Sequence, residues 1–223
     1  MNTRNAKSSE AGFSLFELMI AIAITLVLTV LASSLMAGSF NVRGREDQKT
    51  FALADAQRAL NLMTREIANS GLGLTNNGIV TTDSGESVIR VRSNLNAFDG
   101  QATSNAVSDS HEDVRYRLVN TGAESYIERL DVNTGARTTV LANRVDSFRI
   151  RYYADRVTYT TGTCDITTTT GEVTDRRNAK YIVLIVCVEL PARGTPGSPG
   201  YQPESRVQLI SDVTLRNANL VDY

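Results

Sequence analysis

The sequence is poor in the residues from which many enzyme sites are built. It contains one histidine, His111, and two cysteines, Cys164 and Cys187, which lie far apart in the chain. A zinc site needs about four such ligands in a defined geometry. The chain also has no G-x-S-x-G motif and no glycine-rich phosphate loop. We therefore expect no catalytic residue, no metal and no cofactor, although a site built only from carboxylates would leave no local signature.

Charge is balanced, and no strongly basic run is present. The formal net charge is -1 at pH 7, and the basic residues of the C-terminal half alternate with acids. A nucleic-acid surface needs clustered lysines and arginines. We therefore predict no direct nucleic-acid binding.

Charged residues are absent altogether from residues 18–42. An apolar run of this length can cross a bilayer as a helix, which takes about 20 residues. It follows directly on Glu17, and a carboxylate in hydrocarbon costs about 2.5–3.5 kcal/mol at a central position and less near an end. We therefore expect Glu17 to have a partner that compensates its charge.

The residues around this carboxylate resemble the leader and N-terminal helix of type IV prepilins. Gly12 precedes Phe13, and Glu17 is the fifth residue counted from Phe13. The resemblance implies that residues 1–12 are a leader, that a prepilin peptidase cleaves after Gly12 and methylates the Phe13 N-terminus, and that Glu17 serves assembly. It also implies a transmembrane helix over residues 13–40. The protein would lie in the bacterial inner membrane with its C-terminal domain in the periplasm, and later in a pilus at the cell surface.

Two alternatives remain for this segment. One is an ordinary secretory signal, because residues 18–32 have the length of its apolar part and small residues follow them. The other is an uncleaved membrane anchor. The charges do not decide the orientation, so a cytoplasmic leader is implied by the resemblance alone. Basic residues lie on both sides of the run: Arg4 and Lys7 before it, and Arg43, Arg45 and Lys49 after it.

Cleavage after Gly12 suggests a mechanism for assembly. The new α-amine at Phe13, with a pKa near 8, would lie about one helical turn from Glu17. The amine and the carboxylate could neutralise each other within one helix or between neighbouring helices. Between helices, the pairing would also set their register, because a buried charge without its partner is costly.

The helical pattern continues beyond the apolar run but becomes amphipathic. Apolar residues recur at steps of three and four, which predicts one helix over residues 13–69 with its second half on a soluble domain. Residues 41–72 would form this amphipathic part, with glycines at its C-terminal end. Gly38 and Gly44 are candidate bends. The predicted buried stripe consists of Leu53, Ala56, Leu60, Met63 and Ile67.

The rest of the chain, residues 73–223, is typical of strands and turns, which predicts an α+β class with an antiparallel sheet. Turn signals at residues 120–122 and 133–135 make residues 114–142 a meander. The almost wholly apolar run 181–190 predicts a central strand that is buried on both faces, and residues 207–215 would close the sheet. The predicted strands cover residues 87–93, 114–120, 126–130, 138–142, 144–153, 181–190 and 207–215.

Later segments resemble the PilW-like minor pilins and the related minor pseudopilin GspJ. They are the pattern Leu-Ala-x-x-Val-x-x-Phe-x-Ile-x-Tyr at residues 141–152 and the run 213–217. Major pilins usually carry a proline where this chain has Ser34. The resemblance implies a minor pilin whose partners are other minor pilins, the major pilin, the inner-membrane assembly platform, the peptidase and membrane lipid. It would prime or cap a pilus that serves adhesion, twitching motility or DNA uptake.

Two alternatives to that function remain open. A minor pseudopilin of a type II secretion system would share these features. A membrane-anchored enzyme or sensor is possible if the leader resemblance is accidental.

The two cysteines and two loops complete the predictions. Cys164 lies in the threonine-rich segment 158–174, which predicts an edge hairpin or an irregular excursion. Cys187 lies in the central strand, and an oxidising compartment would favour a disulfide between them. The alternative is a buried thiol at Cys187 and a free thiol at Cys164.

All four prolines lie within residues 191–203, which predicts an exposed connection. Either loop could contact partner pilins or a ligand, or simply be solvated.

One polar cluster, residues 109–113, contains the sole histidine and three acids. In principle it could bind a cation. Its spacing matches no loop of defined ligand geometry, so we favour a polar turn.

Overall fold

The computed structural model describes residues 12–97, 107–122, 124–142 and 144–218. Helix α1 (Leu15–Ala68) is followed by antiparallel strands, which confirms the predicted α+β class. The strands are β1 (Val88–Arg92), β2 (Asp113–Asn120), β3 (Ser125–Asp131), β4 (Arg137–Leu141), β5 (Val145–Tyr153), β6 (Tyr159–Thr161), β7 (Ile166–Thr168), β8 (Tyr181–Leu190) and β9 (Ser205–Thr214). Short 3-10 helices cover Thr81–Asp83 and Arg176–Asn178.

The described chain forms two compact units. The first contains α1 up to Arg45 together with Arg193–Gln202, and the second contains Glu46–Ala192 together with the chain from Pro203 onward. Each unit has its own packing.

In the first unit, the loop Arg193–Gln202 packs against two glycines of α1. The backbone of Gly200 lies against Gly38, and the Arg193 guanidinium lies against Gly44 and donates a 3.3 Å hydrogen bond to its carbonyl oxygen. A Cβ atom at Gly44 would overlap the guanidinium. α1 continues through both glycines, which the sequence had marked as candidate bends. In this structure they permit a close approach of the loop.

The strands of the second unit form two larger sheets, not the single sheet that the sequence predicted. Sheet 1 has the order β1-β2-β3-β4, and its last three strands are the predicted meander. Sheet 2 has the order β5-β8-β9, so the predicted central strand β8 is indeed central. Strand β5 follows β4 along the chain but pairs with β8. Periodicity identifies strands, whereas the choice of partner depends on distant residues.

One hydrophobic core joins α1 to the inner faces of both sheets. The predicted stripe is buried at Ala56, Leu60, Met63 and Ile67, while Leu53 is only partly covered. The strand residues of the same cluster include Ile89, Val91, Tyr116, Ile127, Phe148, Ile150, Leu184 and Val186.

A polar contact also joins the helix to sheet 1. Glu66 of α1 accepts a 2.5 Å hydrogen bond from the Tyr116 hydroxyl. It also pairs with Arg129 of β3, with 3.0 Å between Arg129 Nε and Glu66 Oε2. Arg129 is buried, and an unpaired buried charge is costly. The pair therefore favours one alignment of the helix on the sheet.

The opposite face of sheet 2 is covered by the threonine-rich hairpin β6-β7. A second cluster there includes Tyr153, Val183 and Ile185 from sheet 2 and Ile166 from the hairpin. Cys164, at the hairpin turn, is joined to Cys187 of β8 by a disulfide with Cα atoms 5.4 Å apart. The carboxamide of Gln208 holds the same turn, because it accepts a hydrogen bond from the Cys164 amide and donates one to the Asp165 carbonyl.

Candidate functional site

The candidate site is the N-terminus of α1, where Gly12, Phe13 and Ser14 precede the helix. Ser14 is the N-cap residue, and its carbonyl oxygen accepts the first intrahelical hydrogen bond, from Leu18, at 3.2 Å. The Ser14 hydroxyl accepts a 3.3 Å hydrogen bond from the Phe16 amide. This serine starts the helix because it satisfies an amide that has no partner inside the helix.

Glu17 completes a capping box with Ser14. Its Oε2 atom accepts a 3.1 Å hydrogen bond from the Ser14 amide. The spacing Ser-x-x-Glu is the sequence signature of this motif. The sequence contained this signal, but the predicted role of Glu17 used only the Phe13 amine as its partner.

This geometry gives Glu17 part of the compensation that the sequence demanded. The carboxylate accepts a hydrogen bond from the Ser14 amide. It also lies in the first turn, where the partial positive charge of the helix N-terminus favours an anion. Among the described residues, Oε1 has no hydrogen-bond partner. One carboxylate oxygen is therefore used within the helix, and the other can accept a hydrogen bond from a second donor.

The Gly12–Phe13 peptide bond lies in an open segment. No atom other than the chain neighbours lies within 4 Å of the position that a Cβ atom of Gly12 would take. The Phe13 side chain is 89% exposed. An enzyme could reach this bond without displacing packed structure. Of the predicted leader, residues 1–12, only Gly12 lies among the described residues.

The apolar surface that follows is exposed on all sides of α1. From Gly12 to Ser33 every residue is exposed, and α1 is long and apolar enough to cross a membrane. Exposure of so large an apolar surface to water is unfavourable, so we expect lipid or other helices to cover it. The large exposed side chains include Leu15, Phe16, Leu18, Met19, Ile22, Ile24, Leu26, Leu28, Val30 and Leu31.

The polar cluster at residues 109–113 forms a folded turn. The buried Glu112 carboxylate accepts hydrogen bonds from the Leu95, Ser108 and Asp109 amides at 2.8–3.1 Å. Asp131 accepts the His111 amide at 2.7 Å. Burial raises the pKa of Asp131, but the hydrogen bonds it accepts outweigh that effect and lower its pKa overall. Both carboxylates are thus engaged by protein donors, which supports the interpretation as a polar turn.

One more group of metal-ligand types comes together in space, namely Asp146, Cys164 and Cys187. The two sulfur atoms are bonded to each other, so neither is a thiolate. Asp146 pairs with Arg206 at 3.1 Å. This group explains the anchoring of the hairpin and offers no donor set for a metal.

Comparison with known proteins identifies a family motif at the N-terminus. Residues 7–33 match the family model described as the prokaryotic N-terminal methylation motif. No curated protein matches the sequence. Among solved structures, a type IV-like pilin from Thermus thermophilus is similar, with 16% sequence identity and a TM-score of 0.42; the match covers 74% of this chain and 97% of that one. The chain thus carries the N-methylation motif of type IV prepilins, which confirms the resemblance seen at Gly12, Phe13 and Glu17.

Proposed function

We propose that this protein is a minor type IV pilin. It is a non-enzymatic structural subunit that joins other minor pilins and the major pilin to prime or cap a pilus, and so supports adhesion, twitching motility or DNA uptake. The observation that carries the proposal is the N-terminus of α1. There, an accessible Gly12–Phe13 bond and a half-satisfied Glu17 carboxylate lie at the start of the exposed apolar half of the helix.

Maturation follows from this arrangement. The prepilin peptidase cleaves after Gly12 and methylates the new amine of Phe13. Before cleavage, the leader keeps this nitrogen as a neutral amide; afterwards it is a cation. The capping box survives the cut, because it involves only Ser14, Phe16 and Glu17.

Assembly then uses the second oxygen of Glu17. The apolar part of α1 lies in the inner membrane, with the C-terminal domain in the periplasm, until the assembly platform moves the subunit into the pilus. In a bundle of such helices, Glu17 Oε1 accepts a hydrogen bond from the cationic Phe13 amine of a neighbouring subunit. Lipid strengthens this pairing, because hydrocarbon solvates neither charge.

A minor role is supported by two features of this chain. Ser34 replaces the proline that is usual in major pilins, and α1 is helical through that position. The second unit also carries two large sheets and a disulfide-anchored hairpin, an elaborate domain for a bulk subunit.

The N-terminus of the mature protein tests the proposal directly. Mass spectrometry of protein purified from its host should find a chain that begins with N-methylated Phe13. In a strain without prepilin peptidase, and in Gly12→Val, the leader should remain. A chain that begins at Met1 in the wild-type strain would refute the proposal. Cleavage at the small residues within 32–37, as in a secretory signal, would also refute it.

The biological role needs a second measurement. Deletion of the gene should reduce the number of surface pili, and the protein should co-purify with pili in amounts far below the major pilin. Loss of protein secretion with normal piliation would instead identify a pseudopilin.

A further inference from the structure

A groove runs along the second unit between α1 and the outer edge of β4. Its volume is about 680 Å³. One wall is the helix face that carries Asp55, Arg58, Leu62 and Arg65, and the other is the strand segment 138–142. The groove is open to solvent.

The strand edge in this groove is unpaired. β4 is the last strand of sheet 1 and pairs only with β3 among the described strands. Arg137, Thr138 and Thr139 are exposed, and Val140 is partly exposed. Every second residue of such a strand presents its amide and carbonyl groups outward, and an extended chain can satisfy them by adding a strand.

The helix wall adds two unpaired positive charges. Neither Arg58 nor Arg65 has an ion-pair partner among the residues that the structure describes, and both are exposed. The arginines of sheet 1 differ, because each is paired with a carboxylate: Arg90, Arg92, Arg115, Arg117, Arg129 and Arg137. Among the described residues that line the groove, Asp55 is the one acid, so this wall carries more positive than negative charge.

The spacing of the two arginines matches an extended chain. They are seven residues apart, or two helical turns, which is about 10.5 Å along the axis. Residues on one face of a strand recur about every 6.6 Å. Acidic side chains about two or four residues apart in an added strand therefore come within reach of both guanidinium groups.

We propose that this groove binds an extended acidic segment of a partner protein by β-strand addition. The segment pairs its backbone with the free edge of β4, while its carboxylates pair with Arg58 and Arg65. The backbone supplies affinity, and the two arginines select acidic segments over neutral or basic ones. The proposal does not depend on cleavage at Gly12 or on the role of Glu17.

The test uses the full-length chain in detergent micelles and a synthetic probe. The probe is the peptide amide Thr-Val-Glu-Val-Thr-Val-Glu-Val-Thr with fluorescein attached to its N-terminus, and its glutamates lie about four residues apart on one face. Fluorescence anisotropy should show saturable binding. Hydrogen exchange should show new protection in the segment Arg137–Leu141. Absence of saturable binding would overturn the proposal.

Two comparisons separate strand addition from simple charge attraction. The double variant Arg58→Glu/Arg65→Glu should weaken binding about tenfold or more, whereas the exposed control Arg156→Glu should change it little. Probes N-methylated on alternate residues keep both glutamates but lose the donors for one pairing register. At least one of the two N-methylated registers should bind much more weakly. Binding of both N-methylated probes as tight as that of the unmethylated probe would contradict the proposal. Unchanged binding of the unmethylated probe by the double variant would contradict it as well.

Discussion

The two halves of α1 show how one helix can belong to two environments. Residues 15–33 are exposed on every side although they are almost all apolar. In the second half, Ala56, Leu60, Met63 and Ile67 are buried against the sheets, while polar residues occupy the other faces. The first half therefore needs other molecules to cover it, and the second half is covered by its own chain.

Two glutamates on the same helix show the same contrast. Glu66 is satisfied inside the molecule by Tyr116 and Arg129. Glu17 has the Ser14 amide on one oxygen and no partner among the described residues on the other. A carboxylate with all its hydrogen-bond and ion-pair partners in its own chain stabilises the fold. A carboxylate in apolar surroundings that lacks one of these partners favours association with a molecule that supplies it.

The largest expected effect is the loss of assembly in Glu17→Ala. The Phe13 amines of neighbouring subunits would then lack their anion, at a cost of about 3–5 kcal/mol for a buried pair. We expect membrane insertion and cleavage to persist while the amount of this subunit in sheared pili falls about tenfold or more. Immunoblots of pili and membranes measure both. Glu46→Ala is the matched control and should be recruited normally. Normal recruitment of Glu17→Ala would contradict the role of Glu17.

Truncation of one leucine in each half should separate the two environments. Leu60→Ala leaves a cavity in the core and should reduce the free energy of unfolding by about 2–5 kcal/mol. Leu35→Ala, at a site that is 74% exposed, should leave that free energy unchanged. Urea denaturation in detergent, followed by tyrosine fluorescence, compares them. Equal destabilisation would show that both halves share one core.

A smaller effect is expected when the helix loses its polar contact with sheet 1. Glu66→Ala leaves Arg129 buried without its anion and the Tyr116 hydroxyl without its acceptor, which should cost about 1–3 kcal/mol. Glu86→Ala, at an exposed site on a weaker 3.8 Å pair, should cost much less. The same denaturation assay distinguishes them. Recruitment into pili should survive Glu66→Ala, in contrast to Glu17→Ala.

The smallest expected effect is a loss of stability at low pH, and it should be confined to the second unit. Burial raises the pKa of Asp113, but hydrogen bonds from Arg90 and Arg92 outweigh this and lower its pKa below the ordinary value. The folded state therefore binds this proton less readily than the unfolded state. The resulting stability is fully present above the unfolded pKa of about 4 and is lost as the pH falls through the folded value.

Asp113→Asn should thus flatten the acid limb of the stability profile. Unfolding measured from about pH 6 down to about pH 3 gives the slope. Asp155→Asn is the matched control, because Asp155 is exposed and has no ion-pair partner among the residues that the structure describes. An unchanged slope in Asp113→Asn would show that the Arg90–Asp113–Arg92 group does not control stability in acid.

Much of the local structure could be predicted from periodicity. The predicted helix ended within one residue of Ala68, and the strand 181–190 was found with the predicted bounds. Both have strong patterns: three-and-four spacing in one case and an unbroken apolar run in the other. The partition of strands into two sheets could not be predicted, because β5 and β8 are separated by the whole hairpin β6-β7.

The candidate site was predicted in part for a similar reason. Gly12, Phe13 and Glu17 lie within six residues, so one short motif contains them. The capping box was also visible as Ser-x-x-Glu but was overlooked. The groove beside β4 was beyond prediction, because Arg58 and Thr139 are distant in the chain and meet only after the sheet has packed on the helix.

The sequence by itself determined the helix, its apolar first half, the start signal at Ser14 and the acid at Glu17, because these depend on neighbours within one or two helical turns. Only the tertiary structure decided which strands pair, which glutamate is satisfied within the fold and which strand edge stays open. Those outcomes depend on packing between distant segments, where burial and partner geometry outweigh local preference.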